Sequence, residues 1–277
     1  MRTILTSTPQ VMGRWVAEHA AADLRLAIEK YGSANLVVAT GASQFEVLSA
    51  LVQQPDMDWT RVQGFHLDEY VGLSNDHPAS FCRYLKERFV DQVPLSNFHY
   101  LDGLSDTEQT ISKVGGLIRS TRIDVALVGI GENGHLAFND PPADFETSNP
   151  YLVVELDEPC RMQQVGEGWF ASLEEVPTHA MSMSVKQILE SAKIYCSVPD
   201  ERKAEAVRNT IEGEITAQVP ASILKSHPSV ALVIDEPAAS RLSDESLAGV
   251  ERIQCVDMLI CRSMVTLEWI LTHPVSS

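Results

Sequence analysis

The chain has 277 residues, of which 44% are hydrophobic and 21% charged, a composition typical of a globular protein with a substantial core. Its net charge of −17 argues against nucleic acid and against an anionic membrane as partners, because both require a basic surface. The sequence also lacks an apolar run of about 18 residues and a signal-peptide pattern, and its 5 cysteines have no metal-ligand spacing. These features predict reduced thiols and a cytoplasmic location.

Apolar strands and amphipathic helices alternate along the chain. Thr8 and Pro9 predict the start of a helix that continues to about Lys30, with Gly32 just beyond its end. Further helices are predicted at about 45–51, 81–90 and 200–212. Strands are predicted at 36–40, 62–67, 124–130, 152–156, 180–185, 193–198, 229–234 and 252–256. This alternation predicts one α/β domain over residues 1–277, with a mostly parallel, Rossmann-like sheet and helices on both faces.

Three predicted strands end in loops of unusual composition, at 40–43, 68–70 and 129–142. Ligands bind at the carboxyl ends of strands in open parallel sheets, so these loops are candidates for one shared site. The first, Thr40-Gly41-Ala42-Ser43, precedes a helix and could offer its amides to an anion. On this feature alone, an ordinary tight turn is the better explanation of the same residues.

The second loop carries two carboxylates, Asp68 and Glu69. Strand alternation would put Asp68 on the same face as His66 if the strand continued that far. Use of Asp68 as a helix or turn cap is an alternative of similar weight.

The third loop, GIGENGHLAFNDPP at 129–142, contains a histidine among glycines. Gly134 allows an unusual backbone conformation and close approach of a ligand next to His135. Asn133 and Asp140 are potential partners that would fix the tautomer of the imidazole. A histidine that merely caps the next segment is the weaker interpretation.

Taken together, these motifs resemble a known family. The segment FHLDEYVGL at 65–73, followed by DHPAS at 76–80, and the segment GIGENGHLAFNDP at 129–141 resemble the two signatures of the glucosamine-6-phosphate deaminase/isomerase family. Further matches occur at 40–41, 202–206, 212–213 and 220–222, so the resemblance extends over most of the chain. The related 6-phosphogluconolactonases share the Gly-His loop but lack the Asp-Glu-Tyr-Val-Gly segment.

The resemblance implies ring opening, aldose–ketose isomerisation and deamination of glucosamine 6-phosphate, without a metal or an organic cofactor. Asp68 would move a proton between C2 and C1, and His135 would assist ring opening. Asp140 and Asn133 would orient His135; the family usually has Glu at the position of Asp140, and at the position of Asn133 some members have Asp and others Asn. Phosphate would bind Thr40, Gly41, Ala42, Ser43 and Lys203, while Glu69 and Gly134 are possible further substrate contacts.

One phosphate contact of the family is missing from the sequence. Family members often carry a second phosphate-binding arginine after residue 157, where this chain has residues 166–168, Gly-Glu-Gly. Arg161 is the possible substitute. The glycines and Trp169 predict a mobile active-site lid at about 157–178.

Three alternatives and one unknown remain at this point. Galactosamine 6-phosphate is the nearest alternative substrate, since the stereochemistry at C4 cannot be read from the sequence. A lactonase is less favoured because hydrolysis has no evident use for Asp68. A non-catalytic sugar-phosphate sensor is also possible, but a sensor would need neither Asp68 nor His135. The sequence leaves the oligomeric state undetermined.

Overall fold

A computed structural model describes residues 1–254 of the chain. The strands in this part are β1 (Arg2–Thr6), β2 (Ala34–Val38), β3 (Val62–His66), β4 (Asp68–Tyr70), β5 (Asn97–His99), β6 (Val125–Val128), β7 (Tyr151–Glu155), β8 (His179–Met183), β9 (Lys193–Val198), β10 (Val230–Asp235) and β11 (Glu251–Ile253). The helices are α1 (Pro9–Tyr31), α2 (Phe45–Leu51), α3 (Phe81–Arg88), α4 (Thr107–Arg119), α5 (Glu158–Gly166), α6 (Val185–Leu189), α7 (Ala204–Glu212) and α8 (Asp244–Ala248). The end of the strand predicted at 252–256 lies outside the described residues. None of the helices within residues 1–254 combines the length and apolarity needed to cross a membrane.

The main sheet has the order β11-β1-β10-β9-β6-β2-β3-β5, and every neighbouring pair in it is parallel. The predicted α/β class with a mostly parallel, Rossmann-like sheet is therefore confirmed. The elements that were not predicted are strands β1, β4 and β5 and helices α4, α5, α6 and α8. Strand β5 has three residues, none of them fully buried, so its hydrophobic pattern is weak.

Both faces of the main sheet are buried. In β2, Val37 packs into one hydrophobic cluster while Leu36 and Val38 pack into the other. Helices α1 and α2 cover the Leu36 face, and α4 and α7 contribute to the cluster on the Val37 face. This two-sided burial explains why the strands read as continuous apolar runs rather than as alternating patterns.

The long helix α1 begins and ends where its capping residues predict. The side chain of Thr8 accepts a hydrogen bond from Val11 N, and Pro9 occupies the first turn, where a missing N–H is harmless. Gly32 follows the helix in the left-handed conformation that terminates many helices. The predicted bounds of this helix are therefore confirmed to within one residue.

A second, smaller sheet corrects one expectation. The strands predicted at 152–156 and 180–185 do not join the parallel sheet. They form β7 and β8 of a three-stranded antiparallel sheet with the order β4-β8-β7. An apolar strand pattern predicts burial, but it does not identify the neighbouring strand, and this is why the sequence could not separate the two sheets.

Leu67 is the junction between the two sheets. Its N–H donates to Val38 O of the main sheet, and its carbonyl oxygen accepts from Met183 N of the small sheet. The strand therefore ends at His66, and Asp68 does not continue its alternation. The His66 ring is buried and accepts a hydrogen bond from Leu101 N, and burial lowers its pKa to about 3. Asp68 instead faces the cavity described next.

Candidate active site

A cavity of about 570 Å³ lies at the carboxyl ends of the main-sheet strands. Its wall includes residues that follow β2, β3, β6 and β9 and the last residue of β10: Ala39 and Thr40, Leu67 and Asp68, Gly129 to Gly131, Pro199 to Lys203, and Asp235. The loops predicted to converge from separate parts of the sequence therefore meet in one place. This position is the usual ligand site of an open parallel sheet.

The loop Thr40-Gly41-Ala42-Ser43 forms one side of the cavity. Gly41 has φ of +88°, a conformation that non-glycine residues adopt only with strain. The hydroxyl of Tyr84, on α3, donates to Gly41 O, and the side-chain amide of Gln44 donates to Val128 O. These contacts hold the loop in a fixed position between β2 and α2, with its backbone against the cavity.

Lys203 reaches the same cavity from the short helical turn between β9 and α7. Its side chain is only 9% exposed, and its Nζ lies 3.6 Å from Oε1 of Glu167. Burial lowers the pKa of Lys203, although the Glu167 carboxylate opposes this shift. The structure thus brings together the predicted anion loop and the predicted lysine.

His135 is held in one orientation by its own loop. Its Nδ1 lies 2.9 Å from Oδ1 of Asp140, and its backbone N–H donates to Oδ1 of Asn133 at 3.1 Å. Asn133 Nδ2 also donates to Asp140 Oδ1 at 2.9 Å. An ionised carboxylate only accepts hydrogen bonds, so Nδ1 carries the hydrogen and Nε2 is left as the basic nitrogen of the neutral ring.

The charge on Asp140 is stabilised by these contacts. Burial by itself would raise the pKa of Asp140, but the hydrogen bonds from His135 and Asn133 and the Asp157 N–H lower it below its usual value. A permanent negative charge beside Nδ1 keeps the tautomer of His135 fixed. Asn133 and Asp140 do not line the cavity, so they act on His135 rather than on a ligand.

Gly131 explains why a histidine belongs in a glycine-rich loop. A Cβ at residue 131 would lie 2.2 Å from Nε2 of His135 and 2.3 Å from its Cε1. The imidazole therefore rests directly on the backbone of Gly131, and no other residue leaves room for it. Gly134, the glycine singled out from the sequence, is not in the cavity wall, and its carbonyl oxygen accepts from Ala221 N.

Asp68 is the buried carboxylate of the cavity. It is 6% exposed, and its Oδ1 has no hydrogen-bond partner among the described residues. Burial, and secondly the charge of Glu69, raises the pKa of Asp68 to about 8. A carboxylate in this range can both accept and return a proton near neutral pH.

Besides Gly134, two other predicted substrate contacts lie outside the cavity wall. Glu69 is fully buried, does not line the cavity, and accepts hydrogen bonds from the first backbone amides of α3. Arg161 is also outside the cavity wall, and its Nη2 donates to Leu173 O and Val176 O. Both side chains make structural contacts, so the structure does not bring these two predicted residues into the cavity.

The sequence predicts a lid at about 157–178 but does not identify which of its residues line the cavity. Gln163, Gln164 and Glu167 line it from α5 and from the residue just beyond its end. The four-residue spacing of Gln163 and Glu167 places them on one helix face, which was the available signal. That signal is weak, because it does not show which way the face points.

Within residues 1–254, one group of side chains has the spacing to hold a metal ion. The ligand atoms of His135, Asp140 and Cys160 lie within 4.8 Å of one another. Asp140 already accepts hydrogen bonds from His135 and Asn133, so the arrangement is accounted for by hydrogen bonding.

Known proteins resemble the chain in sequence. Residues 7–233 match the family described as glucosamine-6-phosphate isomerases/6-phosphogluconolactonase. A glucosamine-6-phosphate deaminase of Exiguobacterium sp. (strain ATCC BAA-1283 / AT1b) is 38% identical over 210 residues, which are 76% of this chain and 81% of that protein. The deaminase of Thermoanaerobacter pseudethanolicus is 33% identical over 266 residues, covering 91% of this chain and 100% of its own length.

Solved structures show the same relationship. A monomeric glucosamine-6-phosphate deaminase superposes with a TM-score of 0.80 at 31% identity, covering 87% of this chain and 99% of its own. The 6-phosphogluconolactonase of Trypanosoma brucei has a TM-score of 0.71 at 14% identity, over 87% of this chain and 98% of its own, which is a likeness of fold alone. Sequence and structure agree that the chain belongs to the family of glucosamine-6-phosphate isomerases and 6-phosphogluconolactonases.

Proposed function

We propose that the protein is a glucosamine-6-phosphate deaminase, which converts glucosamine 6-phosphate and water into fructose 6-phosphate and ammonia. The observation that carries this proposal is the meeting of Asp68 and His135 in one cavity with the anion loop 40–43 and Lys203. The relatives named above as deaminases support the same reaction.

Ring opening is assigned to His135. The anomeric hydroxyl must lose a proton and the ring oxygen must gain one, and a neutral imidazole with a free Nε2 can carry that proton between them. Asp140 holds the opposite nitrogen, so the ring presents the same atom throughout. The imidazolium formed in passing is stabilised by the Asp140 charge.

Isomerisation is assigned to Asp68. Its carboxylate takes the proton from C2 of the open-chain sugar, and the resulting enol-type intermediate receives a proton at C1. Loss of the amine from C2, with water entering, leaves the ketone at C2 and releases ammonia. A pKa raised to about 8 makes Asp68 a stronger base than an exposed carboxylate.

The substrate phosphate is assigned to the loop 40–43 and Lys203. Backbone amides at the start of a short helical turn, together with a buried ammonium, suit an anion. Given the overall negative charge of the chain, these local groups must supply the attraction. The segment 157–178, which contributes Gln163 and Glu167 to the wall, is proposed as the lid that closes over the sugar.

A cytoplasmic location completes the proposal. Cys82, Cys160 and Cys196 are buried free thiols, as expected in a reducing compartment. The other two cysteines, at 255 and 261, lie outside the described residues.

The test is to measure ammonia release and ketose-phosphate formation from purified protein, with glucosamine 6-phosphate and, separately, its galactosamine epimer. Equal amounts of both products from the glucosamine compound support the proposal. Faster turnover of galactosamine 6-phosphate would move the proposal to that epimer. Measurable binding of hexose phosphate without turnover of either compound would contradict an enzyme and favour a sensor.

A further inference from the structure

The ammonium group proposed to bind phosphate already faces a carboxylate. Oε1 of Glu167 lies 3.6 Å from Nζ of Lys203, and the two side chains are 8% and 9% exposed. Both residues line the cavity, together with the loop 40–43. A carboxylate is itself an anion that suits a lysine, so Glu167 stands where it can substitute for a ligand's negative charge.

Glu167 is fixed in this position by its neighbours. Gln163 Nε2 donates to its Oε1 at 2.8 Å, and Trp169 Nε1 donates to its Oε2 at 3.3 Å. The other end of the Gln163 amide accepts from Glu132 N at 2.9 Å. The Trp169 ring packs near Tyr84, whose hydroxyl holds the anion loop. The carboxylate is thus a positioned part of the cavity wall.

The remaining charges of the cavity do not compensate for Glu167. The wall also contains the acidic side chains of Glu46, Asp200, Glu201 and Asp235, in addition to Asp68. Its other cation, within the part of the chain that the structure describes, is Arg202, which pairs with Asp200 at 2.9 Å and with Glu132 at 3.8 Å. A phosphate dianion entering the cavity therefore meets Lys203 as its main cation and Glu167 as a close like charge.

We infer that the Glu167 carboxylate competes with the substrate phosphate for Lys203 and thereby sets the affinity of this site for phosphorylated sugars; the inference rests on the proposed function. For phosphate to contact Lys203 fully, the carboxylate must move away from the ammonium. Binding then exchanges one ion pair for another, and the net gain is small. Glu167 is a determinant of affinity and does not take part in proton transfer.

The test compares the wild type with Glu167→Gln, which keeps the side-chain shape and removes the charge. The KM for glucosamine 6-phosphate and the inhibition constant of inorganic phosphate should both fall by roughly three- to tenfold. Glu108→Gln is the matched control, because Glu108 is exposed on α4, outside the cavity wall and outside the segment 157–178, and its loss changes the net charge equally. Glu108→Gln should leave both constants unchanged.

A second variant, Glu167→Ala, separates charge from hydrogen bonding. Glu167→Ala removes the charge and also the contacts to Gln163 and Trp169. If the charge is what weakens phosphate binding, Glu167→Gln and Glu167→Ala should both bind phosphate more tightly than the wild type. Unchanged or weaker phosphate binding in both variants, with thermal unfolding showing folded protein, would overturn the inference. Calorimetric titration with inorganic phosphate compares the same variants without requiring turnover. It therefore tests the role of Glu167 even if the wild type proves inactive, and failure of the proposed function can be distinguished from failure of this inference.

Discussion

Asp68 and Glu69 are consecutive carboxylates that lie on opposite sides of strand β4. Asp68 faces the cavity, where its Oδ1 has no hydrogen-bond partner among the described residues. Glu69 faces helix α3 and accepts hydrogen bonds from Tyr70 N, Phe81 N, Cys82 N and the Ser80 hydroxyl. Asp68 is the proposed base, whereas Glu69 stabilises the start of α3. Substitution of Asp68 should therefore reduce activity, and substitution of Glu69 should reduce the stability of the fold.

Replacing Asp68 by Asn should abolish turnover while preserving the fold. We expect kcat to fall by about 10³-fold or more, because an amide cannot accept the C2 proton. Binding of hexose phosphate, measured by calorimetry, should remain, since the loop 40–43 and Lys203 are untouched. A variant that turned over at the wild-type rate would exclude Asp68 as the base.

The same substitution should change how stability depends on pH. Burial raises the pKa of Asp68 from 3.8 to about 8, so between these values the folded state keeps a proton that the unfolded state has lost. The free energy of unfolding contributed by Asp68 therefore decreases as pH rises through this interval. Urea denaturation at pH 5 and pH 9 should show Asp68→Asn gaining stability relative to the wild type at the higher pH. No change in this difference with pH would contradict the raised pKa.

The activity of the wild type should rise with pH up to about 8. The base must be ionised to accept a proton, and below the raised pKa most of Asp68 is protonated in the free enzyme. We expect kcat/KM to increase between pH 6 and a value near the pKa of about 8 and then to level off. A profile already at its plateau at pH 6 would show that Asp68 ionises in its usual range in the working enzyme.

Glu69→Gln should destabilise the protein strongly. Its carboxylate accepts hydrogen bonds from two backbone N–H groups at the start of α3 that have no partner within the helix. The side-chain NH₂ group of glutamine would face one of these N–H groups, so two donors would meet. We expect a loss of roughly 2–4 kcal/mol in the free energy of unfolding, measured by urea denaturation. Glu108→Gln is the control, because Glu108 lies exposed in the first turn of α4 and should cost less than about 1 kcal/mol.

The sequence could predict that the loops meet, but not that Asp68 faces the cavity while Glu69 faces helix α3. Loops 40–43 and 129–142 follow strands of one parallel sheet, and carboxyl ends of parallel strands share an edge. The direction of Asp68 depends on the bend at Leu67, where the chain passes from one sheet to the other. That bend is set by hydrogen bonds to Val38 and Met183, which are distant in sequence, so local alternation could not reveal it.

The same limit applies to Glu167. Local spacing relates it to Gln163, but its position beside Lys203 depends on how α5 packs across the cavity. Helix α1, in contrast, is bounded by residues that act locally, namely Thr8, Pro9 and Gly32. The bounds of α1 were predictable because they depend on neighbouring residues, whereas the position of Glu167 was not, because it depends on packing between distant segments.

Gly131→Ala tests whether the glycine-rich loop exists to make room for His135. The added Cβ would lie 2.2 Å from Nε2 of the imidazole, so the ring must move from its place above the loop backbone. We expect kcat/KM to fall by about 10²-fold or more, since a displacement near 1 Å at a catalytic group has an effect of this size. Gly116→Ala is the control, because a Cβ at residue 116 on α4 meets nothing within 4 Å and alanine favours a helix. It should keep full activity and gain up to about 1 kcal/mol in stability. Normal activity in Gly131→Ala would mean that the imidazole works from a different position than the one beside Gly131, and the assignment of ring opening to His135 would lose its geometric support.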